Sequence, residues 1–173
     1  LQLLSIVVVG IAVALMLISP ELVLIFGSPK YHEAVYVIPP VAASVFFIFI
    51  YNILSMPQFY YEKTQFLMAA SMAAAGANVV LNFIFIHLFG YIAAGYTTLA
   101  CYMLYSVGHY IVSKRILVNE GIQENLMNPG FLLACSVFLI GASIICNLIF
   151  PYRILRYAIL LASAGSVSYT HLR

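Results

Sequence analysis

Residues Asn78–Tyr102 read NVVLNFIFIHLFGYIAAGYTTLACY, two near-continuous apolar runs that meet at His87-Leu88-Phe89-Gly90. The first run carries Asn78 and Asn82, four residues apart and therefore on one face of a helix. The second opens with small residues, and Gly90, Ala94 and Thr98 form a row of the same spacing. In lipid, small residues let helix backbones approach closely, and an amide can hydrogen-bond across to a neighbouring helix. The stretch predicts two transmembrane helices packed antiparallel across a short turn. The rows Gly90-Ala94-Thr98 and Ala69-Ala73-Ala77 are expected at helix interfaces.

Composition extends this reading to the whole chain. Of its 173 residues 65% are hydrophobic and 7% charged, and the mean hydropathy is +1.08. Soluble domains carry about 25% charged residues, so the predicted class is all-α, a polytopic transmembrane helical bundle. A β-barrel would show short alternating segments in place of these long runs. The net charge of +2 and the lack of a basic patch interleaved with aromatics argue against a nucleic-acid partner. Cys101, Cys135 and Cys146 all fall inside apolar runs, at spacings that fit no metal site, and read as packing residues. The chain starts without methionine and inside an apolar run, with no signal-peptide layout, and reads as a fragment.

About six spans are expected. Leu1–Ile18 is the first, cut short at its start. Ser19-Pro20-Glu21 has the signature of a helix start and predicts a short interfacial helix to Phe26. Ser28-Pro29 repeats that signal before the aromatic, polar band Lys30–Glu33. The second span, Ala34–Met56, holds Pro39-Pro40 in its first third, where a kink or a hinge is expected. A loop over 57–64 leads to the third span, Phe66–Ile86, and Tyr91–Val112 is the fourth. The longest polar stretch, 113–129, precedes the fifth span, Phe131–Phe150, and a sixth starts at Ile154 with Arg156 near its beginning. Residues 1–165 form the bundle. The polar residues 166–173 break the pattern and read as a non-native tail.

Chemistry-bearing groups are sparse. The chain has no aspartate, and its glutamates fall at span ends or in loops, so no paired carboxylates serve acid–base catalysis or a proton relay. There is no phosphate loop and no metal cluster. No enzyme, cofactor or metal is expected. Asn52, Asn78, Asn82 and Asn147 must each find a partner helix or face a wet cavity. His87 and His109 lie near span ends and suit an interfacial or a hydrogen-bonded histidine, or proton coupling. Lys63 and Arg115 are candidates for contact with an anionic headgroup, of ordinary lipid or of a transported substrate. Tyr31, Tyr36, Tyr51, Tyr60 and Tyr61 fit an aromatic belt.

The order of these signals resembles the C-terminal half of the polysaccharide and oligosaccharide flippases of the multidrug/oligosaccharidyl-lipid/polysaccharide (MOP) superfamily. The matching pieces are SPELVLIFGSPKYHEAVYVIPP at Ser19–Pro40, FYYEKT at Phe59–Thr64, and Asn78–Tyr102, so the likeness covers residues 1 to 115. The resemblance implies a fragment of a two-lobed MOP/MATE-like transporter in a bacterial plasma membrane, holding spans nine to fourteen. Its partners would be membrane lipid, a lipid-linked oligosaccharide and the missing N-terminal lobe. The implied function is flipping of undecaprenyl-pyrophosphate-linked sugars for cell-surface polysaccharide. The alternatives are a MATE-type drug/cation antiporter, and a non-transporting membrane enzyme or assembly subunit. Loops 57–64 and 113–129 would be cytoplasmic on this scheme. The resemblance assigns no substrate-binding residue to this chain.

Overall fold

The computed structural model describes residues 1–122, 126–152 and 156–159. They form helices α1 (Gln2–Phe26), α2 (Ile38–Tyr60), α3 (Thr64–Phe89), α4 (Ala93–Asn119) and α5 (Pro129–Ile149), with a 3₁₀ helix, Pro29–Tyr36, between α1 and α2. Among the described residues, α1, α2, α3 and α5 are long and apolar enough to cross a membrane, which marks the chain as a membrane-associated helical protein. The body of the expected sixth span, Arg153 and the tail 166–173 lie outside the described residues.

α2 is the central helix and touches α1, α4 and α5, while α3 packs mainly on α4. The core gathers Met16 from α1, Phe46 and Ile50 from α2, Leu99 from α4 and Leu139 from α5. Two hydrogen bonds fix the direction of the central pair. Ser106 donates to the Phe47 carbonyl and Ser113 to that of Leu54, both at a sequence offset of 59, so α2 and α4 run parallel. α3 runs the other way. Ser71 meets Tyr105, whereas Asn82, further down α3, meets Thr97, further up α4.

Several boundaries differ from expectation, each for a physical reason. Ser19-Pro20-Glu21 starts no new helix, since α1 continues through Pro20 to Phe26. A proline at this position removes the bond to the carbonyl four residues back, that of Met16. The Ser19 hydroxyl takes that carbonyl at 2.7 Å, so the freed acceptor is satisfied inside the bundle. Pro39-Pro40 causes no kink. It stands in the first turn of α2, where missing N–H groups cost nothing, and the residues before it wind as the 3₁₀ helix. The proline inside α2 is Pro57, so the expected 57–64 loop shrinks to the turn Tyr61–Lys63. α4 likewise runs on to Asn119 and takes in Lys114 and Arg115, which were expected in a loop. It is absent from the four apolar helices because Thr97, Ser106, His109 and Ser113 stud its inward side. α5 starts at Pro129, capped by Asn128, whose side chain accepts from the Gly130 and Phe131 amides.

One predicted small-residue row is exposed, and in the other Ala94 and Thr98 are half-buried while Gly90 is not. Ala69, Ala73 and Ala77 are exposed, and among the described residues no side chain of α3 is buried. Gly90 is exposed at the turn, with φ +80°, a left-handed conformation that glycine adopts without strain. The glycine in close helix contact is Gly95. A Cβ there would stand 2.8 Å from both Pro40 Cγ and the Val37 carbonyl oxygen. The contact is with α2, and it lies one residue out of phase with the expected row.

Candidate functional site: a polar seam and a lipid-facing groove

Helix α4 carries hydrogen-bonding groups to all its neighbours. At its start, Asn82 of α3 donates its amide to Asn78 Oδ1 at 2.8 Å, and the Thr97 hydroxyl donates to Asn82 Oδ1 at 2.5 Å. Both asparagines are half-buried in the α3–α4 seam. Nearby, Asn147 of α5 donates to the Tyr96 hydroxyl at 2.8 Å and to the Tyr36 carbonyl at 3.4 Å. Midway, the Ser71 and Tyr105 hydroxyls pair at 2.6 Å. Toward the end of α4, Gln58, His109 and Ser113 form a cluster in which each residue is 1% exposed. Gln58 Nε2 donates to His109 Nδ1 at 2.8 Å and to Ser113 Oγ at 3.1 Å. Tyr51 and Tyr105 enclose the imidazole, with ring centres 5.8 and 4.4 Å away.

A groove of about 420 Å³ runs beside this seam between α2, α4 and α5. Its walls include Phe46, Phe47, Met103, Val107, Leu132 and Val137. Met103, Val107, Tyr110 and Lys114 follow a four-, three-, four-residue spacing, which keeps them on one stripe of α4. Tyr110 borders both the groove and a second recess that holds Lys114 and Arg115. The apolar trough therefore ends at two exposed cations.

The remaining candidates are dispersed. Asn52 is exposed and donates to its own helix, at the Ile48 carbonyl. Lys63 is exposed in the α2–α3 turn, and His87 is exposed near the end of α3. His109 is buried between helices and hydrogen-bonded to Gln58. Tyr51 is likewise no belt residue, because it lies inside α2 against Tyr102, Tyr105 and His109. Glu21, expected at a span end, lies within α1 and is paired with the nearly fully buried Arg156, while the Tyr157 hydroxyl donates to the same carboxylate at 2.6 Å. At the α3–α4 turn, Tyr91 donates to Glu33 at 3.0 Å. Desolvation, then that hydrogen bond and the charge of Glu33, hold the phenol above its usual range. Cys101, Cys135 and Cys146 are free thiols within helices. No group of three or more metal-binding side chains occurs among the described residues.

Sequence reading passed over Gln58 and Ser113. Gln58 follows Pro57 and was assigned to a loop, which hid its inward position. The recoverable signal was Ser106, His109 and Ser113, spaced three and four residues apart on one helical face. No known protein family, curated protein or solved structure matches the chain.

Proposed function

We propose that this chain is part of a flippase for lipid-linked oligosaccharide in a bacterial plasma membrane, with about six spans completed by the segment after Arg156. The observation that supports the reading is the groove whose apolar walls end, past Tyr110, at Lys114 and Arg115. A polyprenyl diphosphate has that chemistry: a long hydrocarbon chain joined to an anion. Such walls accept a hydrocarbon chain by van der Waals packing, since lipid tails are as apolar as the side chains, and two cations at the mouth attract the diphosphate. The uncharged amides and hydroxyls of the seam are groups of the kind that bind a glycan. The motifs resembling MOP flippases point the same way, as does the uncovered α3, which a second lobe would cover.

A second reading is a drug/cation antiporter of the same architecture. It is favoured by Glu21, an acid inside a membrane-length helix, although its pairing with Arg156 leaves it poorly placed to hold a free cation. Reconstitution of the full-length protein in liposomes separates the two. On the flippase reading it moves a labelled polyprenyl-diphosphate sugar between leaflets, and Lys114→Ala with Arg115→Ala slows this strongly. Proton-driven export of a cationic dye without sugar flipping would replace the proposal with the antiporter.

A further inference from the structure

The Gln58 amide nitrogen faces three acceptors with two N–H groups. It lies 3.5 Å from the Leu54 carbonyl, 2.8 Å from His109 Nδ1 and 3.1 Å from Ser113 Oγ. The amide's two protons go to the two shorter contacts, His109 Nδ1 and Ser113 Oγ, and none is left for the Leu54 carbonyl at 3.5 Å. The Ser113 hydroxyl spends its proton on the same Leu54 carbonyl and therefore accepts from Gln58. His109 Nδ1 must then be bare, and the neutral ring carries its proton on Nε2. Two buried atoms are left without partners, Gln58 Oε1 and His109 Nε2. Such orphans are uncommon inside proteins and call for an explanation.

We propose that Gln58 and His109 form a two-position hydrogen-bond switch set by protonation of the imidazole. A proton arriving at Nδ1 would point an N–H at the amide N–H₂, donor against donor. Half a turn of the Gln58 amide resolves the conflict. Oε1 then accepts from Nδ1–H in a charge-assisted bond, and the amide N–H₂ takes over the partnerless place that Oε1 leaves. The same turn withdraws the amide donor from Ser113, while Ser113 keeps its bond to Leu54. In the neutral state Gln58 bridges to both His109 and Ser113 of α4, and in the protonated state it holds His109 alone. The nitrogen gains a proton from water and no other bond is made or broken covalently.

The titratable groups against the ring are two phenols, Tyr51 from α2 and Tyr105 from α4. α3 contributes the Ser71 hydroxyl, which meets Tyr105. Glu62, Lys63, Lys114 and Arg115 lie toward the same end of the bundle but are exposed. By the register of the serine bonds His109 is level with Ile50, ten residues before the end of α2, so a proton travels about 15 Å, nearly three helical turns, from that end. The switch is independent of which substrate the full protein carries.

The test is ¹⁵N NMR of the full-length protein in lipid nanodiscs, with histidine and glutamine labelled and His109 and Gln58 assigned. At neutral pH, His109 is expected as the tautomer protonated at Nε2. On acidification its Nδ1 signal should become protonated and the Gln58 amide signal should move with the same midpoint. In His109→Phe the Gln58 amide should lose its pH dependence, while the measurement on the native protein stands even if that variant misfolds. A His109 protonated at Nδ1 at neutral pH would overturn the proposal. So would a Gln58 amide that stays fixed through the His109 titration.

Discussion

Replacing Gly95 with alanine tests the helix packing most directly. The added Cβ would lie 2.8 Å from Pro40 Cγ, 2.8 Å from the Val37 carbonyl oxygen and 3.2 Å from Val37 Cγ1. Carbon atoms prefer about 3.5–4.0 Å, so α4 must retreat from α2 by roughly 0.7 Å or more. Neither neighbour can step aside, because one is a proline ring in the first turn of α2 and the other is backbone. Overpacking of this kind costs about 1–3 kcal/mol, and each 1–2 kcal/mol lowers the folded-to-unfolded ratio by about 5- to 30-fold. Gly108→Ala is the control on the same helix. A Cβ there meets nothing within 4 Å, and alanine in place of glycine in a helix gains roughly 0.5–1 kcal/mol. Asn82→Ala, which removes one bond across the α3–α4 seam, should cost less, about 0.6–1.7 kcal/mol. Thermal unfolding in detergent, followed by tyrosine fluorescence since the chain lacks tryptophan, ranks the three variants. Equal stability of the Gly95 and Gly108 variants would refute the close contact.

Ser19→Ala should destabilise the protein by about 1–3 kcal/mol, because it strands the buried Met16 carbonyl that Pro20 already leaves without its helical partner; denaturant unfolding of the variant measures the loss. The Tyr91–Glu33 link should survive to higher pH than an ordinary phenol near 10 allows. Its phenol titrates late in the folded state, so the contribution is complete below the usual tyrosine value and disappears as pH rises through the elevated one. Ultraviolet titration of Tyr91→Phe against the native protein should remove one late-titrating tyrosine. The 173-residue chain alone in liposomes should flip no labelled lipid-linked sugar; transport above the empty-liposome background would show that a second lobe is unnecessary.

The helices were legible because long apolar runs leave few alternatives to a helix in lipid. Proline was the main source of error. Pro20 and Pro39-Pro40 have the same local signature as helix starts or kinks, and which applies depends on whether a distant or neighbouring group satisfies the freed carbonyl. A hydroxyl at Ser19 does so for Pro20, and sequence spacing alone does not announce that. Asn78 and Asn82 were recognisable as a pair, since the four-residue spacing sets them on one face, but their partner Thr97 depends on how α4 is rotated. That rotation also moved the close contact from Ala94 to Gly95. Gln58, His109 and Ser113 come together only once the parallel register of α2 and α4 is known, which the chain order of alternating spans does not specify.

The serine bonds between α2 and α4 also act as a ratchet. Ser106 and Ser113 are seven residues apart, as are the carbonyls of Phe47 and Leu54 that they engage. A slip of one residue, about 1.5 Å along the axis, would pull both hydroxyls off their acceptors at once. Carbonyls facing the same way recur about one helical turn along, roughly 5.4 Å away. The two bonds resist sliding between these helices and favour a single strut. Large movements of this bundle then pivot where α1, α3 or α5 meets that strut, and cross-links locking α2 to α4 should leave such movements intact.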